Sequence, residues 1–239
     1  MHTTIEPSIL YFGTPVVLVS TSNDDGSTNI APMSSAWWLG WSCMLGLDAS
    51  SKTTENLRRT NECVLNLAAD HNVGKVNKLA LLTGSPSVPL HKKALGYRYS
   101  SNKWEESGFT PLASDIVKPA RIEECPIHLE ASVSNVYPFG NDDPRMAIPG
   151  CAIEVSVIRI HAASDILELG SGHRIDPNKW RPLIMSFRHF YGLTENIHES
   201  KLGAGAEERY APWKKGWPKR VATEALLKLA NRKYAVKRP

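Results

Sequence analysis

A cluster of small polar residues around one lysine offers the clearest anion-binding chemistry in this 239-residue chain. It reads Ser50-Ser51-Lys52-Thr53-Thr54, and Asn56 follows two positions later. Ser, Thr and Asn favour helix starts, because their side chains accept hydrogen bonds from unpaired N–H groups. The same N–H groups, the helix dipole and a lysine also favour a bound phosphate. The cluster therefore fits either a plain helix cap with a solvated lysine or a phosphate site.

A second polar turn lies upstream, and an apolar segment joins it to the first. The upstream turn is Asn29-Ile30-Ala31-Pro32-Met33-Ser34-Ser35, whose Asn, Pro and Ser residues are common in loops of any kind. Residues 36–47 are mostly apolar and aromatic, and they predict one strand that is buried on both faces near its middle. Together the two turns would suit a flat, amphipathic, phosphorylated ligand, with ring-edge donors in one turn and a phosphate site in the other.

Three tryptophans, Trp37, Trp38 and Trp41, lie within the apolar segment. Aromatic side chains contribute large buried areas in cores and at interfaces. The tryptophans therefore either pack in the core and between subunits or form a wall of the ligand site.

Short β-branched runs between turn residues dominate the rest of the chain. Asp25-Gly26 predicts a tight hairpin, because glycine readily takes the positive φ that such turns need. Strands are predicted at 15–22, 27–31, 62–68, 120–124, 127–137 and 151–160, and helices at 53–60 and 70–82. This pattern predicts a mainly β protein with flanking helices, built as a closed antiparallel barrel.

Composition sets limits on the class of protein. The chain has 42% hydrophobic and 22% charged residues, which is typical of a globular domain. It shows no evident secretory leader and no apolar run of membrane-spanning length. Neither the four scattered cysteines nor the eight histidines have the spacing of metal ligands. We therefore expect a cytoplasmic protein with free buried thiols, no metal and no membrane partner.

Basic residues are concentrated in the C-terminal segment. Residues 201–239 contain eleven Lys or Arg and three Glu, a charge of +8, whereas the whole chain carries +4. The remainder is therefore net acidic, which argues against a nucleic-acid surface there. The segment either attracts an anionic partner or a dinucleotide or forms a solvated helix, and its pattern predicts a helix over 219–234.

The motifs, taken in order, resemble the flavin reductase-like family of FMN-binding split-barrel proteins, including its flavoredoxin branch. The resemblance spans roughly residues 10–195 and is carried by PVVLVST at 15–21, DG at 25–26, NIAPMS at 29–34, KTTENL at 52–57 and ECVLNL at 62–67. It implies an antiparallel Greek-key split β-barrel over residues 1–200, with an insertion at about 84–114. Residues 201–239 would be a basic C-terminal extension with a helix.

The resemblance also implies FMN near the interface of a homodimer. On matching positions the first turn would face the flavin ring, and the second would hold the phosphate and ribityl chain. These cofactor-binding residues are Asn29, Ala31, Met33, Ser34, Ser35, Ser50, Ser51, Lys52, Thr53, Thr54 and Asn56. Tyr191 either contacts flavin or substrate or is a satisfied core tyrosine. No catalytic side chain is expected, because the chemistry would belong to the flavin.

Three functions remain open on this basis. The first is a flavin reductase that takes hydride from NADH or NADPH and passes reduced flavin or electrons to a protein or small-molecule acceptor. The second is a non-enzymatic, flavoredoxin-like FMN-binding electron carrier without direct NAD(P)H activity. The third is a barrel that binds no flavin, which the hydroxyl cluster around Lys52 disfavours.

The insertion at 84–114 also leaves two roles open. Long ordered loops are usually functional, so it is either a lid or substrate wall or simply surface packing. In the first role, its basic residues would meet the phosphates of a nicotinamide dinucleotide; these residues are His91, Lys92, Lys93 and Arg98.

Overall fold

The computed structural model describes residues 1–146, 148–198 and 200–201. Residues Met1–Ile197 form one compact unit. The helix predicted over 219–234 and nearly all of the basic extension lie outside the described residues.

Strands predominate in the described part of the chain. They are β1 (Phe12–Pro15), β2 (Val17–Ser22), β3 (Thr28–Met33), β4 (Ala36–Leu39), β5 (Ser42–Asp48), β6 (Glu62–Leu67), β7 (Leu82–Thr83), β8 (Arg98–Tyr99), β9 (Pro111–Leu112), β10 (Arg121–Ile122), β11 (Ile127–Phe139), β12 (Gly150–Ala162), β13 (Leu183–Ser186) and β14 (His189–Gly192). The helices are α1 (Lys52–Thr60), α2 (Val73–Leu79), α3 (Leu90–Ala94) and α4 (Lys103–Ser107), with 3₁₀ turns at Asp70–Asn72 and Ser164–Ile166. The predicted mainly β fold with flanking helices is confirmed.

A seven-stranded antiparallel sheet in the order β3-β2-β6-β11-β12-β5-β4 forms the body of the protein. Strands β3 and β4 lie at its opposite edges, although only Ser34 and Ser35 separate them in the chain. Six inter-strand gaps in a flat sheet would span about 29 Å. The three Cα steps from Met33 to Ala36 reach at most about 11 Å. The sheet must therefore curl until its edges approach, which confirms the predicted antiparallel barrel.

Strand β2 is covered on both faces, which explains its unbroken apolar run. Val17 and Val19 belong to the core cluster inside the sheet, together with Leu45, Leu65 and other buried residues. Leu18 points to a second cluster, in which the sheet packs against α2 and the segment after it. Because successive side chains alternate between faces, two cores select apolar residues at each position from Val16 to Val19.

The prediction of one continuous buried strand over 36–47 is wrong. The register pairs Leu39 with Ser42, so Gly40 and Trp41 form a two-residue hairpin loop between β4 and β5. Gly40 has φ +60°, the left-handed conformation that such loops require. Trp37, Leu39 and Trp41 are 57%, 77% and 42% exposed. The apolar composition concealed this turn, because no polar residue such as Asn or Asp precedes the glycine.

Three local predictions are confirmed, at the β2–β3 turn, at α1 and at the cysteines. Gly26 has φ +83° in the β2–β3 turn, and its N–H donates to the Asn23 carbonyl over 3.1 Å. Helix α1 begins one residue before the predicted start at Thr53 and ends at Thr60 as predicted. All four cysteines are buried and free. Among the described residues, no helix has the length and apolar character needed to cross a membrane.

A buried carboxylate anchors the loop that follows the insertion. Glu130 on β11 is fully buried, and its Oε1 accepts hydrogen bonds from the Asp115 N–H (2.9 Å) and from His161 Nε2 (2.7 Å). Its Oε2 accepts from the N–H groups of Ile116 (2.7 Å) and Val117 (3.0 Å). Burial opposes ionisation, but these donors outweigh burial and lower the pKa of Glu130 to about 2. The charge is therefore part of the folded structure.

Replacing Glu130 by Gln should lower the free energy of unfolding by about 2–4 kcal/mol, because buried N–H donors lose their charged acceptor. The folded-state pKa of about 2 lies below the ordinary value of 4.5, so the stabilisation is present above pH 4.5 and is lost as the pH falls towards 2. Urea unfolding across this pH range measures both effects. The exposed Glu123→Gln is the matched control. An E130Q variant as stable as this control would contradict the anchor role.

Candidate functional site

The polar turn before α1 builds its own helix start. Ser51 is the N-cap, and its Oγ accepts a hydrogen bond from the Thr54 N–H over 3.1 Å. The Thr54 hydroxyl in turn donates to the Asp48 carbonyl over 2.8 Å. Ser50 donates its N–H and its hydroxyl to Asp48 Oδ1, both over 2.7 Å. These hydroxyls make hydrogen bonds within the turn and hold its shape. Their side chains therefore act as a helix cap, the first of the two interpretations.

Two backbone donors stay open at this helix start. The N–H groups of Lys52 and Thr53 make no hydrogen bond within the described part of the chain. They precede the first residue of α1 that can bond back to a carbonyl of the helix, and they carry the positive end of its dipole. An anion can therefore bind here through the backbone while the hydroxyls keep their structural roles.

Lys52 stands beside these donors, but it is already paired. Its Nζ lies 3.1 Å from Asp24 Oδ2 and 2.6 Å from Glu55 Oε1, and its side chain is 12% exposed. Burial disfavours its charge, but hydrogen bonds to Glu55 and Asp24 outweigh burial and raise the pKa of Lys52. Arg59 Nε also contacts Asp24, at 2.9 Å from Oδ1. A bound phosphate would share Lys52 with two carboxylates.

Asn29 joins the upstream turn to α1. The residue is 4% exposed on β3. Its Nδ2 donates to the hydroxyls of Thr21 (3.5 Å) and Thr53 (3.4 Å). Its Oδ1 accepts from Lys103 Nζ over 2.9 Å. Both ends of the amide are used, so its orientation is set by the surrounding groups, and the two predicted turns form one site.

Lys103 is the residue of this site that the sequence did not reveal. It is 5% exposed, and its Nζ donates to Asn29 Oδ1 and to the Ile30 carbonyl (3.0 Å). No carboxylate pairs with it in the described ranges. Burial, and secondarily the charge of Lys92, lower the pKa of Lys103 to about 8. A buried ammonium without a counter-ion is costly, and this arrangement marks a place where an anionic ligand is favoured.

The insertion at 84–114 packs onto the site. Asp48 Oδ2 accepts from His91 Nε2 (3.2 Å) and lies 3.1 Å from Lys92 Nζ, so α3 is tied to the second turn. A Cβ on Gly84 would lie only 2.5 Å from Asn29 Oδ1, which shows how closely the insertion backbone approaches β3. The insertion therefore lies against the site. Its contacts with Asp48 and Asn29 favour the role of a wall over that of surface packing.

The other two basic residues that were predicted to meet a dinucleotide, Lys93 and Arg98, are exposed. Lys93 lies on α3. Arg98 pairs with Glu106 within the insertion. Neither side chain makes a hydrogen bond or an ion pair with the two turns in the part of the chain that the structure describes.

The remaining residues of the upstream turn line the link between β3 and β4. Ala31, Met33 and Ser34 are half-buried, and Met33 packs against the core cluster inside the sheet. The Ser35 carbonyl accepts from the Gly46 N–H over 2.7 Å, and its hydroxyl lies 3.4 Å from the Tyr11 hydroxyl. These contacts hold the backbone of the turn in place beside β5.

Two other residues that were predicted to bind the cofactor lie outside the two turns. Asn56 is fully buried, and its Nδ2 donates to the Thr21 hydroxyl (3.1 Å) and to Asn23 Oδ1 (2.9 Å), so it ties α1 to the β2–β3 hairpin. Tyr191 lies on β14 of the separate β1-β13-β14 sheet and is 56% exposed. Its assignment to the flavin site stays a prediction, as do those of the other residues.

Asp115, Glu130 and His161 bring their ligand atoms close enough to suggest a cation site. A carboxylate offers about four acceptor positions. Those of Glu130 are taken by three backbone N–H groups and the His161 ring. Asp115 is paired with Arg159 at 3.1 Å. This cluster is accounted for as an internal polar network.

A family model and a curated relative both match most of this chain. The family model described as the flavin reductase like domain matches residues 9–194. The uncharacterized protein YdfE of Bacillus subtilis is 40% identical over 193 residues, which cover 81% of this chain and 90% of YdfE.

Two solved structures are similar in fold. Flavoredoxin of Desulfovibrio vulgaris (Miyazaki F) has a TM-score of 0.67 and 16% identity, over 84% of this chain and 98% of that protein. Nitrilotriacetate monooxygenase component B from Bacillus cereus has a TM-score of 0.64 and 16% identity, over 83% and 99% of the two chains. At this identity the likeness shows the shared fold.

Replacing Lys103 by Met should change how stability depends on pH. The folded-state pKa of about 8 lies below the ordinary 10.5, so this lysine adds stability above pH 10.5 and loses it as the pH falls to 8. The ligand-free wild type should gain on the order of 2 kcal/mol in unfolding free energy over that range, and K103M should lack this gain. Urea unfolding measures it, with the exposed Lys78→Met as control. Parallel pH profiles for wild type and K103M would contradict the burial of this charge.

Proposed function

The chain belongs to the flavin reductase like domain family, and on that premise we propose that it is an FMN-dependent flavin reductase. NADH or NADPH would be its electron donor, and a protein or small molecule would be the acceptor. The observation that carries this proposal is the buried Lys103 ammonium, which pairs with no carboxylate among the described residues and is linked through Asn29 to Thr53 at the start of α1.

The residues of the site fit the chemistry of FMN. The N–H groups of Lys52 and Thr53 and the Lys52 ammonium would hold the phosphate. The backbone of the upstream turn, beside Ser34 and Ser35, would offer groups to the edge of the ring. Lys103 would attract negative charge on the ligand, because a cation in a buried site acts through a low effective dielectric. When bound, the flavin supplies the hydride and electron chemistry.

The second candidate is an electron carrier that binds FMN without direct NAD(P)H activity. His91 and Lys92 are two of the four basic residues that were expected to meet a nicotinamide dinucleotide, and both are engaged by Asp48. This ion-pair cluster reduces the positive charge available to a second nucleotide. The fold likeness to a flavoredoxin is also compatible with a carrier.

Visible spectroscopy of the purified protein separates these functions. We expect a flavin spectrum, either as isolated or after FMN is added, that bleaches promptly when NADH or NADPH is supplied without oxygen. The faster nucleotide identifies the donor. A flavin spectrum that stays oxidised with both nucleotides would favour the carrier. A protein that takes up no FMN would contradict both assignments.

We also propose a homodimer. Trp37, Leu39 and Trp41 expose large apolar surfaces on one hairpin, and β4 is an edge strand of the sheet. Exposed aromatic clusters of this kind mark protein interfaces, and a second copy of the chain would cover them. The proposed interface lies next to the link at Ser34 and Ser35, so it would also shelter the ring end of the flavin site.

Light scattering tests the dimer. The wild type should have twice the chain mass of 26.4 kDa. Trp37→Asp should shift it towards one chain mass, because a charge would be buried at the interface. Exposed Leu90→Asp on α3 is the matched control. A wild type that stays monomeric and still binds FMN tightly would contradict the interface.

A further inference from the structure

Two tyrosines from distant parts of the chain lie near the ring end of the proposed flavin site. Tyr11 precedes β1, and its hydroxyl lies 3.4 Å from the hydroxyl of Ser35 at that end. Tyr97 lies in the insertion between α3 and β8, and its N–H donates to the Lys92 carbonyl over 3.0 Å. Lys92 in turn contacts Asp48, so Tyr97 is carried with the insertion onto the end of β5.

Ser35 and Asp48 lie side by side on the barrel wall. A Cβ on Gly46 would lie 3.1 Å from the Ser35 Cβ, and Asp48 is two positions further along β5. Alternate residues of a strand share a face and are about 7 Å apart, so Ser35 and Asp48 are neighbours on this face. Burial raises the pKa of Tyr97, and the Asp48 carboxylate and Tyr11 raise it further. The Tyr97 phenol therefore lies near both groups and stays protonated.

The tip of the β13–β14 hairpin fixes the backbone of Tyr11. Phe187 and Arg188 form its two-residue loop, with φ angles of +44° and +70° that residues other than glycine rarely adopt. The Phe187 N–H donates to the Tyr11 carbonyl over 2.8 Å, and its ring packs edge-on against that of Phe12, with 5.0 Å between centroids. Such strain persists only where surrounding contacts hold it, and it is common where a ligand is clamped. Tyr11 is thus held at its carbonyl by this loop and at its hydroxyl by Ser35.

The two phenols offer neutral hydrogen-bond donors. The half-buried Tyr97 makes no hydrogen bond through its hydroxyl to the residues that the structure describes. Tyrosine hydroxyls usually find a partner when they are buried, so this one favours an added acceptor. His91 and Lys92, the basic residues of the insertion that reach this end of β5, are paired with Asp48. Because no unpaired cation stands beside the Asp48 carboxylate, the place suits a flat neutral molecule with an acceptor oxygen better than an anion.

Resting on the proposed function, we propose that Tyr11, Ser35 and Tyr97 form the subsite of the electron acceptor, and that this acceptor is a quinone. A quinone is flat and neutral, and its carbonyl oxygens accept hydrogen bonds from the phenol hydroxyls. It takes a hydride, which is two electrons and one proton, from the reduced flavin, which thereby returns to its oxidised form. The negative charge left on the quinone oxygen is stabilised by the Tyr97 hydroxyl. That oxygen takes a proton from water, the product is the hydroquinone, and NADH or NADPH reduces the flavin again.

Titration of the flavin-loaded, full-length protein with naphthoquinone, followed by the flavin absorbance without a reductant, tests this subsite. Tyr97→Phe should weaken naphthoquinone binding about tenfold, the size of one strong hydrogen bond, and raise the KM for its reduction by a similar factor. FMN affinity, which checks the fold of the variant, should change less than about twofold. Tyr99→Phe removes the same atom from an exposed tyrosine of the same insertion and should change neither value. Naphthoquinone sulfonate, an anion with the same ring, should bind more weakly than naphthoquinone.

The outcomes are distinguishable. Equal naphthoquinone affinities in Y97F and Y99F would overturn the subsite, and tighter binding of the sulfonate than of the neutral quinone would overturn the class of acceptor. A wild type whose flavin bleaches with NADH or NADPH, but which shows no saturable reduction of naphthoquinone, would overturn this proposal and leave the proposed function intact. Saturable reduction of added riboflavin alone, with a raised KM in Y97F, would overturn the quinone and assign the subsite to free flavin. A protein that binds no FMN would remove the proposed function and this proposal together.

Discussion

The two-residue link between β3 and β4 is the constraint on which the rest of the structure depends. Ser34 and Ser35 connect strands at opposite edges of a seven-stranded sheet, so the sheet has to close on itself. At the β4 end of this link the Ser35 carbonyl accepts from the Gly46 N–H, which extends the β4–β5 pairing by one residue. Closure also brings β3 next to the helix that follows β5. The candidate site is thus a direct result of how the barrel closes.

Within that frame, polar side chains connect elements that are distant in sequence. Asn29 contacts the start of α1 through Thr53 and the insertion through Lys103. Asn56 connects the same helix to the β2–β3 hairpin. Both amides are buried, and a buried amide costs free energy unless its hydrogen bonds are made. The network therefore specifies one arrangement of sheet, helix and insertion, and leaves the backbone N–H groups at the helix start open.

Charge is distributed unevenly between the structural and the proposed functional sites. Glu130 has hydrogen-bond donors at every acceptor position, so its buried charge is matched inside the protein. Among the described residues Lys103 donates to two neutral oxygens and to no carboxylate, and its pKa is lowered to about 8. The first arrangement is complete without a ligand, whereas the second is improved by an added anion. This difference distinguishes the loop anchor Glu130 from Lys103, the residue that we propose to attract an anion.

The sequence by itself determined the local features of this protein. Asp25-Gly26 specified a hairpin and the cluster at 50–54 a helix start, because turn and cap preferences depend on a few neighbouring residues. The ordered motifs indicated the family and, with it, the antiparallel barrel. Only the tertiary structure decided that Gly40 splits an apolar segment into a hairpin, since burial on both faces is a property of the packed sheet. It also decided that Lys103 is buried beside Asn29, whereas Lys93 in the same insertion is solvated. Both are lysines of the same insertion, and the sequence does not distinguish them. Lys103 is buried because it contacts β3, which lies more than seventy positions away in the chain.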